Sequence, residues 1–259
     1  MGIHYGVRPS GNFSHLGVTW TPASISTAIW LDASDSATVT QSSNLITAWN
    51  DKSGNARHAT AFNNPTYVPS GQNSKNLIRC DGVDDYFTIN LDWTATGSHS
   101  LFTVIKPVTY SNLYGAANGG SGSSSLHVGF SSSSTWRMNY WSHDYGPSVT
   151  ANFVPGNFNI INFAWPVGSN KKVYANGKLE AAGGQIAAAI GVPSGGGRIL
   201  NVVGQGYMQC DICEIIMINS ELSDSDRYKM EGYLAHKWGT QSYLDSAHPY
   251  KSGPPVSYQ

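Results

Sequence analysis

Residues 136–146 read Trp-Arg-Met-Asn-Tyr-Trp-Ser-His-Asp-Tyr-Gly, the densest mixture of aromatic, amide, imidazole and carboxylate groups in the chain. Aromatic rings stack on the apolar faces of sugars and other planar groups, while amide, imidazole and carboxylate supply the orienting hydrogen bonds. If the segment enters as a strand, alternation sends Trp136, Met138 and Tyr140 to one face and Arg137, Asn139 and Trp141 to the other. The first set is expected to pack in the core. Trp141, His143, Asp144 and Tyr145 are then the candidate ligand-binding residues, and a surface glycan is the ligand they suit.

Other chemistry finds less support. Glycoside hydrolysis needs two carboxylates facing each other roughly 5–10 Å apart. The chain has four glutamates, Glu180, Glu214, Glu221 and Glu231, and no strand in which acids alternate. No catalytic residue is assigned, and a non-enzymatic protein is expected. Asp81, Asp84 and Asp85 have the clustering that suits a hard cation such as calcium. The same spacing makes a turn at Asp81-Gly82 whose acids accept backbone amides, and that is the expected role. His127, His143, His236 and His248 have no metal-ligand spacing. Cys210 and Cys213 form a CxxC within a strand, where odd separation points them to opposite faces; with Cys80 they are expected to be small buried apolar residues.

Composition narrows the partners. Only 12% of the 259 residues are charged, about half the usual share, and the net charge is −1 with scattered basic residues. Nucleic acid is therefore not an expected partner. No apolar run reaches membrane-spanning length, and no basic-then-apolar leader follows Met1. Such a weakly charged surface suits neutral hydrogen-bonding partners or burial in an assembly.

The elements that must hold these residues are short. Apolar runs at 29–31, 45–49, 77–80, 86–89, 101–105, 126–130, 136–141, 158–165, 199–203 and 212–218 alternate with turn signals. Asn176-Gly177 marks a type I′ hairpin between 172 and 180. Gly- and Ser-rich stretches at 115–125 and 131–134 read as long loops. About eleven strands point to an antiparallel sandwich. One helix stands apart: Ser223 and Asp226 match a capping box, Met230, Tyr233, Leu234 and Trp238 share a face, and Gly239 stops it. Residues 1–19 carry no periodicity and read as an extended N-terminal arm, with 20–259 the sandwich, its helix and tail.

The stretches Trp30-Leu31-Asp32-Ala33-Ser34-Asp35, Trp49-Asn50-Asp51-Lys52-Ser53-Gly54-Asn55 and Asp81-Gly82-Val83-Asp84-Asp85-Tyr86-Phe87 resemble a laminin-G-like, concanavalin-A-type module. So do Glu214 to Ile218, Glu231 to Gly239 and His248 to Lys251. The resemblance covers about residues 20–252. It implies an all-β, two-sheet antiparallel jelly-roll sandwich with one C-terminal amphipathic helix, of the kind found in tailed-phage virion proteins and bacterial surface proteins. It implies no single activity, because this fold carries lectins, glycosidases, adhesion modules and virion proteins. The leading expectation is a virion structural protein of a tailed phage, a capsid decoration protein or head fibre. Residues 1–19 would dock it to capsid or other virion proteins or to a sister copy in a homo-oligomer. The alternative is a carbohydrate-binding adhesin of a phage tail or bacterial cell surface.

Overall fold

A computed structural model describes residues 18–118, 125–140, 143–185, 191–202 and 204–257. Of the expected arm, only Val18 and Thr19 lie among them. The chain begins with β1 (Val18–Thr19), β2 (Ile29–Asp32), β3 (Val39–Ser42), β4 (Leu45–Trp49), β5 (Ala59–Phe62) and β6 (Thr66–Gln72). Then come β7 (Lys75–Asp81), β8 (Tyr86–Ile89), β9 (His99–Pro107), β10 (Asn112–Ala116), β11 (Leu126–Ser132) and β12 (Thr135–Tyr140). β13 (Asn159–Trp165), β14 (Lys171–Ala175), β15 (Lys178–Gly183), β16 (Gly197–Ile199) and β17 (Gln209–Ile218) precede α1 (Asp224–Trp238) and β18 (Val256–Ser257). β1 and β18 form a small antiparallel ribbon.

The remaining strands form one antiparallel ladder folded into two layers. The front layer runs β12-β11-β10-β16-β8-β5-β4 with β3 beside β4, and the back layer runs β15-β14-β13-β9-β17 with β7, β2 and β6 beyond. Between the layers lies the main core, holding Trp136, Met138, Tyr140, Phe130 and Phe87 from the front and Ile161, Phe163, Trp165, Ile212 and Ile215 from the back. The Trp136 and Phe163 rings meet edge-on across it, 5.8 Å apart. This is the sandwich expected from the sequence.

Alternation along the back layer makes a second core. Phe102, Val104, Ile160, Ile216 and Ile218 point outward and are covered by Met230, Tyr233, Leu234 and Trp238 of α1. Ser223 Oγ accepts the Asp226 amide at 3.2 Å, and Gly239 ends the helix in the left-handed region at φ +71°. Only half of the expected capping box forms, because the short Asp226 side chain bonds Ser223 Oγ and Lys229 rather than the cap's own amide. The helix is also buried more widely than its apolar stripe requires. Arg227, Glu231 and Gly232 are buried too, because the following chain returns over them: His248 Nε2 lies 3.2 Å from Glu231 Oε2, and a Cβ on Gly232 would meet Tyr250 at 2.5 Å.

Glu214 joins helix and sheet. It is fully buried, and it accepts from Trp30 Nε1 and Trp238 Nε1, each at 2.7 Å, from Tyr233 OH at 3.2 Å, and pairs with Lys237 at 2.7 Å. Its ladder partner Asp32 also pairs with Lys237, at 2.8 Å. Desolvation raises the Glu214 pKa, whereas Lys237 and Lys52 hold Asp32 below the usual carboxylate range despite its burial. The two carboxylates are close but sealed under the helix, so they serve as a clamp.

Two expectations need correction. Within the expected strand 199–203, β16 ends at Ile199, Leu200 adopts φ +69° and residues 200–202 lie outside the sheet, while 203 is outside the described residues. Nor are the Gly- and Ser-rich stretches the long loops expected: Gly115 and Ala116 belong to β10, 119–124 lie outside the described residues, and Ser132 and Thr135 already pair across the β11–β12 hairpin.

Candidate functional site

The segment at 136–146 splits as alternation requires. Trp136 and Met138 are fully buried and Tyr140 nearly so, while Arg137 and Asn139 lie half-buried on the outward face. Trp141 lies outside the described residues. His143 is exposed and stacks on Tyr140 with ring centroids 5.2 Å apart. Asp144 is exposed, and its charge acts on His127, Arg137 and Lys171. Tyr145 is partly a packing residue, since a Cβ on Gly183 or Gly184 would meet it at 2.7 Å. The structure thus brings His143 and Asp144 to the outer end of β12 and turns Tyr145 toward β15.

Lys171 holds this corner. Its side chain is fully buried, with its ammonium 4.8 Å from the centre of the Trp165 ring. It donates to the carbonyl oxygens of Met138, at 2.8 Å, and His143. Burial lowers its pKa to about 8, an effect that the Asp144 charge partly offsets.

The outward face of the front layer extends well beyond this corner. Register places Asn139 opposite His127, His127 opposite Gly115, Gly115 opposite Arg198, Arg198 opposite Thr88 and Thr88 opposite Thr60. At about 4.8 Å per strand, this single row crosses roughly 24 Å of sheet. Gly115 is required at its middle: a Cβ there would come within 2.1 Å of the Leu126 carbonyl and 3.0 Å of Val202. The loop after β16 sits over that point. Its Asn201 accepts from Arg198 at 2.8 Å, its Gln205 accepts from Arg137, and Asn201 donates to the Gln205 carbonyl at 3.3 Å.

Beside Arg198 lies an aromatic group. Phe62 stacks on Tyr86 with centroids 4.8 Å apart and planes 8° from parallel. Arg198 lies over the Tyr86 ring at 4.7 Å, and Tyr207 flanks it at 6.2 Å. Phe62 is 39% exposed. Unlike the back layer, whose outer face lies under α1, this face presents rings, amides and guanidinium groups to solvent. Sequence reading missed Phe62, Tyr86, Arg198 and Tyr207; the alternation of Tyr86 with the buried Phe87 was the one local signal of an outward ring.

The acidic turn behaves as a turn. Asp81 Oδ1 accepts the Val83 amide at 2.8 Å, and Asp85 Oδ2 accepts the Asp81 amide at 3.0 Å. Oxygens of Asp81, Asp84 and Asp85 still lie within 4.8 Å of one another. Asp85 is buried with Oδ1 unpartnered, and desolvation, with the neighbouring charges of Asp81 and Asp84, raises its pKa to about 6. Beside it is a cleft of about 400 Å³ whose cations, Arg79 and Lys106, both pair with Asp211, at 2.6 and 3.0 Å. Cys80 and Cys210 face each other across β7 and β17 and are buried, while Cys213 points to the helix side.

The architecture defines a jelly-roll-like β-sandwich with one face covered by a helix and the other open. No family model and no curated protein matches the chain. Solved structures do. The Trypanosoma rangeli sialidase is similar over 82% of this chain and 33% of its own, at 16% identity and a TM-score of 0.58. The binding domain of Paraclostridial Mosquitocidal Protein 1 is similar over 78% of this chain and 50% of its own, at 13% identity and a TM-score of 0.55. A structure of botulinum neurotoxin type C, whose cell entry depends on interaction with two ganglioside molecules, is similar over the same shares at 15% identity and a TM-score of 0.52. The chain spans about a third of the sialidase and half of each toxin chain. At these identities the likeness is one of fold.

Proposed function

We propose that this chain is a non-catalytic carbohydrate-binding module that recognises surface glycans with the open outward face of its front layer. The observation that carries this reading is the part of the row that the loop after β16 leaves uncovered, above all Arg198, Thr88 and Thr60, flanked by Phe62, Tyr86 and Tyr207. Rings supply stacking faces, and amides, imidazole and guanidinium supply directional donors and acceptors. His143 and Asp144 extend the face at its β12 end. The toxin structures with this fold, one of them from a neurotoxin whose cell entry depends on interaction with two ganglioside molecules, support the reading by analogy. The non-catalytic part of the reading is supported by three acids: Glu214 and Asp32 are sealed beneath α1, and Glu180 is held by Trp136 and Thr150. A virion or a bacterial surface is the setting in which such a module would work. Docking through residues 1–19 belongs to the virion reading, to which the similar structures named above lend no support.

A glycan array tests the proposal. A defined hit is expected, lost in the Phe62→Ala, Tyr86→Ala double variant with the far-ultraviolet spectrum unchanged. A blank array, or hits indifferent to that variant, would overturn it.

A further inference from the structure

We infer that the glycan bound by this face carries acidic groups, carboxylate or sulfate, engaged by the guanidinium pair Arg198 and Arg137. This rests on the proposed carbohydrate-binding role and narrows its ligand class. The two arginines flank one loop, each held by one of its amides, Asn201 for Arg198 and Gln205 for Arg137, and those two residues are bonded to each other. Neither has a carboxylate within ion-pair distance among the described residues. Several other cations are neutralised: Arg79 and Lys106 pair with Asp211, Arg227 with Glu231 and Asp224, and Lys237 with Asp32 and Glu214, whereas Arg57 and Lys171 donate to backbone carbonyls away from the exposed rings of this face. In a chain with only 12% charged residues, two unneutralised guanidinium groups on the face with the exposed rings form a local charge pattern.

Amide acceptors position a guanidinium without cancelling its charge. Each guanidinium has five N–H donors in a planar fork suited to two-pronged contact with a carboxylate or sulfate. One donor of each is engaged by its amide. Stacking on Tyr86 further fixes the Arg198 plane. Burial lowers the Arg137 pKa and Asp144 offsets part of that, so its charge sits in a partly desolvated setting where an oxyanion is attracted strongly. The net charge of −1 supplies no overall attraction to polyanions, so any preference for an acidic polymer has to come from the local arrangement.

The test titrates the full chain with heparin, polygalacturonate and dextran, one sulfated, one carboxylated and one neutral polymer. Tighter binding to heparin or to polygalacturonate than to dextran, by tenfold or more, is expected, and the preferred polymer identifies sulfate or carboxylate. Arg198→Gln and Arg137→Gln, which keep an amide donor toward the loop, should each weaken that binding about tenfold. Arg198→Lys should fail to restore it, and Lys229→Gln on α1 should leave it unchanged. Equal affinity for dextran, or arginine variants that bind as the parent does, would overturn the acidic ligand while leaving a neutral glycan role standing. No binding to any polymer, together with a blank glycan array, would sink both readings.

Discussion

At the scale of single residues, the protein buries groups that titrate in opposite senses. His99 is fully enclosed, stacked 5.7 Å from Trp165 with Nε2 3.2 Å from Tyr114 OH, and burial lowers its pKa to about 4. Between pH 6.5 and 4 the unfolded chain therefore takes up a proton that the folded chain refuses, and stability falls with acidification. Asp85 runs the other way. Its folded pKa of about 6 lies above the ordinary carboxylate value, so between about pH 6 and pH 4 the folded chain binds the extra proton and gains stability. Asp85→Asn keeps an acceptor for the Asp81 amide and removes the compensating gain. Urea unfolding midpoints across pH 4–7 should then fall more steeply on acidification in the variant than in the parent; parallel curves would contradict this assignment. The sequence showed three acids at a turn, but not which one is buried without a full set of partners. The surroundings of the turn come from far along the chain: Gln209 lies against Gly82 from a strand more than a hundred residues away.

Among the elements, legibility followed periodicity and caps. The helix, β8, β13 and the Asn176-Gly177 hairpin were readable because each has a local pattern, down to the positive φ at both turn residues. β5, β6 and β10 were not. Thr66–Gln72 contains Pro69 and Gly71 and little apolar alternation, and Asn112–Ala116 runs into a Gly- and Ser-rich stretch. The open face was half legible: alternation in 136–140 gave Arg137 and Asn139 as outward residues, but Arg198 and Arg137 meet one loop only through long-range register. The helix clamp yields the prediction at this scale. Glu214→Ala would orphan the donors of Trp30, Trp238 and Tyr233 in a buried site, with an expected loss of about 3–5 kcal/mol. Thermal scans should show a fall on the order of 10 °C, whereas Ser223→Ala, at an exposed cap, should cost only about 1 kcal/mol.

For the whole molecule, the two layers divide the work. The back layer is closed by α1 and the returning tail, and the front layer is left open with its rings and guanidinium groups. β17 ties the back layer together, with β9 along one edge and β7 then β2 along the other. Its partners come from as far back as Ile29, so β2 must wait for residues 209–218 before it can pair, and β7, which meets β6 locally, must wait for its second edge to be covered. Emerging from a ribosome, the first two hundred residues would hold exposed strand edges and no finished core, a slow and aggregation-prone interval. Once closed, the same strand should open only with the whole fold. Hydrogen exchange read by mass spectrometry should find the β17 amides in the slowest class and those of the edge strand β15 well ahead of them. Early exchange in β17 would mean that the layers close by another route. The last strand of the sheet to be synthesised is thus the one on which the earliest must depend.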